Sequence, residues 1–207
     1  MGAALEFYEK TYVANSDERL GLFRVLVEHY AVATALYPGS FAHVTPSFVI
    51  PTVVHVNADE RAERFFSDPE ILDLVRERRD YTEEPTIRFH LGEYGSSLDE
   101  PDQSFDLLIS QGAPSVSQVY KRYLKVGGHL VADNSAGDVD LATQDPDYAL
   151  VAMCKRRDEV VTLAFDQLET YMLLDPETPP TPDQIERMVH GAGFARLASG
   201  AVFERVQ

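Results

Sequence analysis

Short apolar segments that alternate with amphipathic ones are the feature that most constrains this sequence. Segments rich in β-branched and apolar residues, each followed by turn-forming residues, predict five strands, over residues 33–36, 52–56, 86–91, 105–110 and 129–132. Helical periodicity predicts helices over residues 60–79, broken at Pro69, and over 115–124, ended by Gly127-Gly128. Short strands that alternate with helices indicate a mostly parallel sheet covered on both faces, which is a doubly wound α/β fold.

The start of the chain and a segment in its C-terminal third add further elements. Residues 1–31 predict N-terminal helices, the second of which begins at a capping box formed by Asn15 and Glu18. Residues 148–165 predict an inserted β-hairpin, with a helix over 148–155 as the alternative.

The end of the chain predicts the closing edge of the sheet. A helix is predicted over residues 182–190, and an antiparallel pair of strands over 194–197 and 201–206. We therefore expect a single domain over residues 1–207, built on a seven-stranded sheet with an antiparallel C-terminal strand. A chain of this length buries roughly 70% of its unfolded surface, so its core needs no disulfide or structural metal.

Charge and composition exclude several classes of partner. The formal net charge is -16, and an acidic chain repels a phosphate backbone, so no nucleic-acid partner is expected. No apolar run approaches the roughly 20 residues that a membrane helix needs, so no membrane association is expected. Cys154 is the single cysteine and the N-terminus lacks the pattern of a signal peptide, which predicts a cytoplasmic protein.

Three segments that follow one another in the expected order resemble the class I S-adenosylmethionine-dependent methyltransferases. Residues 123–131 (YLKVGGHLV) resemble the family's L-K-P-G-G turn into its fifth strand, with Val126 in place of the proline. Residues 104–110 (SFDLLIS) resemble its fourth strand, and residues 181–197 (TPDQIERMVHGAGFARL) resemble its last helix and sixth strand. The resemblance implies a Rossmann-like methyltransferase fold and S-adenosylmethionine as the cofactor.

The turn after the first predicted strand lies where an open α/β sheet binds its ligand. In the family, this turn is an acid followed by G-x-G-x-G, because glycines let the backbone approach the cofactor closely. Here Tyr37 stands at the acid's position, Gly39 is the one glycine kept, and Phe41 replaces the next. The resemblance implies cofactor contacts from Tyr37, Pro38, Gly39 and Ser40; the alternative is a tight Pro-Gly turn without a ligand.

Asp59 follows the second predicted strand, 20 residues beyond Gly39. The resemblance implies that its two carboxylate oxygens accept hydrogen bonds from both ribose hydroxyls of the cofactor. Alternatively, Asp59 only caps the helix that begins at Glu60, a role compatible with binding. The same acid could serve a nicotinamide dinucleotide, although the G-x-G-x-x-G motif of that class is absent.

Polar residues also follow the later strands. Glu93 follows the third strand, where the family places an acid near the adenine amino group; a solvated loop acid is the alternative. Gln111 follows the fourth strand and is expected to border the pocket. Asp133-Asn134 follows the fifth and resembles the metal-binding pair of catechol- and caffeoyl-type O-methyltransferases. Those enzymes add an aspartate where this chain has Gln111, so the sequence predicts a polar turn and no metal site, with the acids at 138–147 forming a surface loop.

The sequence assigns no catalytic base. His43 lies in the loop after the first strand and could face a substrate, whereas His55 and His90 are expected in the core or at its rim. The leading hypothesis is a methyltransferase that acts on a small molecule. The alternative is a non-catalytic protein of the same fold that serves as a binding or assembly module, with the hairpin at 148–165 as a possible homodimer interface. A nicotinamide oxidoreductase is the third hypothesis.

Overall fold

The computed structural model describes residues 2–133, 136–157, 160–168, 171 and 198–207. The chain divides into two compact units, Met1–Glu100 and Pro101–Gln207. The helix predicted over residues 182–190 and the strand predicted over 194–197 lie outside the described residues. No helix among the described residues is long and apolar enough to cross a bilayer.

The first unit contains three parallel strands, which lie in the order β3-β2-β1. They are β1 (Thr34–Pro38), β2 (Thr52–Asn57) and β3 (Thr86–Leu91). Tyr37 of β1 pairs with His55 of β2, and Asn57 of β2 pairs with Leu91 of β3. Because the strands are parallel, their carboxyl ends, and the turns that follow them, fall along one edge.

The helices of the first unit are mostly short. They are α1 (Ala3–Tyr8), continued by a π-helical segment (Glu9–Val13), α2 (Leu20–Tyr30), a 3₁₀ turn (Thr45–Phe48), α3 (Glu60–Phe66) and α4 (Pro69–Arg78). As predicted, the helical stretch breaks before Pro69, where the Asp68 carboxylate accepts a hydrogen bond from the backbone N–H of Glu70 and caps α4.

The predicted capping box before α2 is wrong. This helix begins at Leu20, after Arg19 in a left-handed conformation, with no side-chain cap. Asn15 instead donates its amide hydrogens to carbonyl oxygens of Lys10 and Thr11 at the end of the preceding helix. Glu18 instead accepts hydrogen bonds from the Tyr8 hydroxyl and from Arg78, so tertiary contacts override a local capping pattern.

The second unit contains the other five strands, in the order β4-β5-β8-β6-β7. They are β4 (Phe105–Ser110), β5 (Leu124–Ala132), β6 (Tyr148–Arg157), β7 (Val160–Ala164) and β8 (Gly200–Arg205). β4 and β5 are parallel, whereas β5-β8, β8-β6 and β6-β7 are antiparallel. The α/β fold, the antiparallel C-terminal strand and the hairpin are confirmed. Among the described strands of this unit, the pairing is more mixed than predicted, because β6 pairs with β8 as well as with β7.

The helix predicted over residues 115–124 is present but is broken at Tyr120, and its predicted end at the glycine pair is wrong. The structure has α5 (Val116–Val119) and a 3₁₀ turn (Lys121–Tyr123), and β5 already begins at Leu124. The glycine pair lies inside β5 beside a register shift with β4. Gly127 has a φ of 80°, and a Cβ on Gly128 would lie 2.9 Å from a methyl carbon of Leu124. The pair therefore marks an irregular strand and not a helix end.

The acidic segment after β5 is not simply a surface loop. Asp138, at the start of α6 (Asp138–Gln144), is fully buried and accepts hydrogen bonds from the backbone N–H and the hydroxyl of Ser117. Asp145 and Asp147 both accept a hydrogen bond from the Lys121 ammonium. These acids fasten α5 and α6 to the second unit.

Candidate functional site

Two backbone hydrogen bonds gather the turns of the first unit at one edge of its strands. The Gly39 N–H donates to the Val56 carbonyl oxygen (2.8 Å), and the Gly92 N–H donates to the Asn57 carbonyl oxygen (3.2 Å). The residues predicted to bind a cofactor in this unit therefore lie in the last positions of three adjacent strands or just after them; they are Tyr37, Pro38, Gly39, Ser40, Asp59 and Glu93.

Tyr37, at the position of the family's acid, is directed into the protein. Its ring is buried, and its hydroxyl donates to Nδ1 of His43 (3.0 Å). Nε2 of His43 donates to the Glu18 carbonyl oxygen (2.9 Å), which fixes the imidazole as the neutral Nε2–H tautomer. Burial lowers the pKa of His43 to about 4 and keeps it uncharged at neutral pH. His43 is thus an interior residue, and the suggestion that it faces a substrate is wrong.

The turn after β1 combines positive φ angles with a buried, unpaired hydroxyl. Gly39 has a φ of 73°, and Phe41 has a φ of 45°, a region that a bulky residue seldom adopts. The Ser40 hydroxyl is buried and has no hydrogen-bond partner among the residues that the structure describes. The Phe41 ring meets the edge of Phe7, with the centroids 5.7 Å apart.

Asp59 caps α3 and is also ion-paired. Its Oδ1 accepts a hydrogen bond from the backbone N–H of Arg61 (2.8 Å), which confirms that Asp59 caps α3, a role compatible with binding. The Arg61 guanidinium, through Nε and Nη2, contacts both carboxylate oxygens. These hydrogen bonds lower the pKa of Asp59 to about 2, so the carboxylate stays charged. A shallow, open depression at this point is lined by Asn57, Ala58, Asp59, Glu60, Arg61 and Arg64.

The two remaining histidines of these strands belong to packing and not to a ligand site. His55 is fully buried and stacks on Phe66 with the ring centroids 4.2 Å apart. Burial, and secondly the nearby His43, lower the pKa of His55 to about 3. His90 contacts the Glu100 carboxylate (2.9 Å), which also accepts a hydrogen bond from Arg88. Both lie in the core or at its rim, as predicted.

The other predicted site residues lie on loops of the two units. Glu93 is exposed after β3, and its carbonyl oxygen accepts hydrogen bonds from Ser96. In the second unit, Gln111 follows β4 and is buried, and its Oε1 has no partner among the described residues. Adenine contact by Glu93 and a pocket position for Gln111 stay predictions.

Of the Asp133-Asn134 pair that resembles a metal-binding motif, the structure describes Asp133. The Asp133 N–H donates to the Ser110 carbonyl oxygen (3.0 Å), and Asn134 lies outside the described residues. Within the described ranges, no group of three or more histidine, cysteine, aspartate or glutamate side chains is placed to hold a metal ion.

Sequence reasoning missed Arg61. It lies two residues after the acid that follows β2, in the first turn of α3. At this spacing, an arginine side chain can fold back onto a capping carboxylate, so an Asp-x-Arg pattern after a strand was the available signal. Because Arg61 pairs with Asp59, the Asp59 carboxylate already has a partner before any ligand binds.

No protein-family model matches the sequence, and no curated protein matches it. Solved structures do resemble it. The O-methyltransferase TomG from Streptomyces achromogenes, in complex with S-adenosylmethionine, aligns with a TM-score of 0.51 and 12% identity, over 79% of this chain and 87% of that one. An rRNA methylase from Streptococcus thermophilus aligns with a TM-score of 0.46 and 14% identity, over 90% and 95%. A methyltransferase from Geobacter sulfurreducens aligns with a TM-score of 0.44 and 15% identity, over 79% and 87%. The chain has the class I methyltransferase-like fold.

Proposed function

We propose that this chain binds S-adenosylmethionine and transfers its methyl group to a small molecule. One observation carries the proposal: Asp59 lies just beyond the carboxyl end of β2, in a fold similar to that of an O-methyltransferase solved with S-adenosylmethionine. In an open α/β sheet, ligands bind outside the carboxyl ends of the strands, and an acid at this place suits a ribose. Fold alone does not fix function, so the chemistry of the residues must support the assignment.

The residues present fit such a cofactor. The Asp59 carboxylate stays ionised and offers two acceptor oxygens to the two ribose hydroxyls. The Ser40 hydroxyl is buried and has no partner among the described residues, and a buried polar group of this kind is available to a ligand or a bound water. When bound, S-adenosylmethionine supplies a methyl group on a positively charged sulfur, and the protein's task is to hold acceptor and methyl group in line. The catalytic base stays unassigned.

Charge favours a small acceptor over a nucleic acid. A net charge of -16 opposes the approach of a polyanion, and this electrostatic term dominates nucleic-acid affinity. The fold itself does not decide the acceptor, because one similar structure is an rRNA methylase.

Calorimetric titration with S-adenosylhomocysteine is the direct test of cofactor binding. We expect saturable heat and a higher melting temperature, since a hundredfold excess over the dissociation constant adds about 2.7 kcal/mol of stability. An absence of both heat and thermal shift at millimolar ligand would rule the function out. Turnover is then followed by incubating the chain with labelled S-adenosylmethionine and a library of hydroxyl- and amine-bearing small molecules.

A specific observation also favours a non-catalytic module. The turn after β1 is occupied by the chain's own side chains, with Tyr37 engaged by His43 and Phe41 in the place of a glycine. On this hypothesis the protein binds no cofactor and acts through a surface such as β7, where Val160 is 64% exposed. Methyl transfer to any acceptor excludes it, and a monomer in sedimentation at high concentration removes the homodimer.

A further inference from the structure

The contacts of Asp59 leave little of its carboxylate free. Oδ1 accepts hydrogen bonds from the backbone N–H (2.8 Å) and Nε (3.0 Å) of Arg61, and Oδ2 accepts them from Nε (3.0 Å) and Nη2 (2.5 Å). A carboxylate has about four lone-pair positions. The side chain of one residue, Arg61, therefore already supplies the donors that a vicinal diol would bring.

The Arg61 side chain has a second attachment. Its guanidinium carbon lies 5.3 Å from the centroid of the Phe41 ring, within the range of a cation–π contact. Phe41 is itself supported by the edge of Phe7 from α1. The aromatic residue that replaces a glycine in the turn thus provides the surface on which Arg61 rests while it holds Asp59.

The contacts of Arg61 with Asp59 and Phe41 lie at an exposed surface, where they can break. The Arg61 side chain is 71% exposed and that of Asp59 is 30% exposed. Exposed ion pairs and exposed cation–π contacts are each weak, so opening both contacts changes affinity only about three- to thirtyfold, which is small beside the affinity of a specific cofactor.

We infer that Arg61 is a specificity-determining gate on Asp59: it is the resident partner of the carboxylate, and a ligand must replace it with two hydroxyl donors of its own. The inference rests on the proposed function, since it concerns how the same carboxylate selects a ribose-bearing ligand. A ligand that brings a vicinal diol replaces the donors that it displaces. A ligand without a vicinal diol brings no donors to replace those of Arg61, so it leaves Arg61 on Asp59.

The gate is tested by calorimetric titration of wild type, Arg61→Gln and Arg76→Gln with S-adenosylhomocysteine. Arg76→Gln removes the same charge from the same unit, but Arg76 lies on α4, pairs with Asp73 and Glu84, and does not line the depression at Asp59. We expect Arg61→Gln to bind about three- to thirtyfold more tightly than wild type and Arg76→Gln to bind like wild type. Phe41→Leu, which removes the aromatic ring under Arg61, should give a smaller gain in the same direction.

Two further readouts separate a gate from a change in folding. In carboxyl NMR titrations, Arg61→Gln should raise the pKa of Asp59 towards its usual range, while Arg76→Gln leaves it near the wild-type value. With adenine, which has no ribose, wild type and Arg61→Gln should bind equally.

The outcomes distinguish the inference from the proposed function. If neither wild type nor Arg61→Gln binds S-adenosylhomocysteine, the proposed function fails. If both bind with equal affinity, the cofactor assignment stands and the gate is overturned. Weaker binding by Arg61→Gln, or an equal gain in Arg76→Gln, also overturns the gate, because Arg61 would then contact the ligand or act only through net charge.

Discussion

The two units differ in how they treat most of the polar groups at the ends of their strands. In the first unit, Tyr37 is held by His43 and Asp59 is held by Arg61, although the Ser40 hydroxyl has no partner among the described residues. In the second unit, Ser110 and Gln111 bury side-chain oxygens that have no partner among the described residues. A held group exchanges one partner for another when a ligand binds, whereas an unpaired buried group gains a hydrogen bond outright. A held polar group at a strand end can therefore select among ligands, because the ligand must replace its partner. An unpaired polar group accepts any ligand that can hydrogen-bond to it.

The largest expected effect comes from acidification, which should break the first unit before the second. His43 and His55 are buried and neutral, with folded pKa values of about 4 and about 3 against about 6.5 when unfolded. Between these values the unfolded chain binds more protons, so stability is full above pH 6.5 and falls as the pH drops. At pH 5 the loss is roughly 2 kcal/mol for each histidine. Hydrogen exchange, corrected for intrinsic rates, should show amides of residues 1–100 losing protection first; equal loss in both units would remove the distinction.

His55→Leu provides the control for this effect. Neither ring nitrogen of His55 has a hydrogen-bond partner among the described residues, so an apolar side chain of similar volume should keep the stability at pH 7.5. Urea unfolding at pH 7.5 and pH 5 should then show about half of the wild-type acid sensitivity. An unchanged acid sensitivity would mean that His55 does not contribute.

Asp138→Ala should give the next largest effect, because it removes a buried carboxylate whose hydrogen bonds stabilise the fold. The substitution leaves the buried N–H and hydroxyl of Ser117 without an acceptor, and we expect about 3 kcal/mol lower free energy of unfolding. Asp140→Ala, on the exposed side of α6, is the matched control and should stay within about 0.5 kcal/mol of wild type. Equal losses in the two urea titrations would contradict the structural role.

Asp59→Asn should separate ligand binding from stability. Loss of the charged acceptor should weaken S-adenosylhomocysteine binding at least about tenfold, while stability falls only slightly, because asparagine can also cap a helix. The control is Asp68→Asn, which alters the matching cap of α4 at a residue outside the predicted site. Calorimetry and thermal unfolding of both variants measure the two quantities. Equal loss of affinity in both would indicate that Asp59 acts only as a helix cap.

Ser40→Ala should have the smallest effect. Its hydroxyl is buried and has no partner in the part of the chain that the structure describes, so its removal should leave stability unchanged or raise it by up to about 1 kcal/mol. If the hydroxyl meets the ligand, affinity for S-adenosylhomocysteine falls about threefold, as for a lost neutral hydrogen bond. Lower stability together with unchanged affinity would show that Ser40 belongs to packing.

The strands were predictable because their pattern is local. The predicted bounds of β3 and β4 match the structure, since β-branched and apolar runs end at clear turn residues. The glycine pair at 127–128 misled because glycine serves both helix ends and strand bulges, and only the partner strand decides which. Glu18 misled for a related reason, because Tyr8 and Arg78, which engage its carboxylate, are 10 and 60 residues away in sequence.

The sequence predicted where the candidate site residues lie but not which contacts they make. The order of strands places Asp59 and residues 37–40 at the carboxyl ends of the strands, and the structure agrees. That the carboxylate is occupied depends on where Arg61 and Phe41 point, which side-chain packing decides and the sequence pattern does not record.

The exchange at Asp59 can be observed directly by following the Arg61 Nε–H resonance by NMR during titration with S-adenosylhomocysteine. We expect this signal to move saturably from the position of a carboxylate-bound guanidinium towards its position in Asp59→Asn, at the ligand concentration where calorimetry gives half-saturation. A ligand that binds and leaves the Arg61 signal unmoved, or an absence of any binding, would contradict the role assigned here to Asp59.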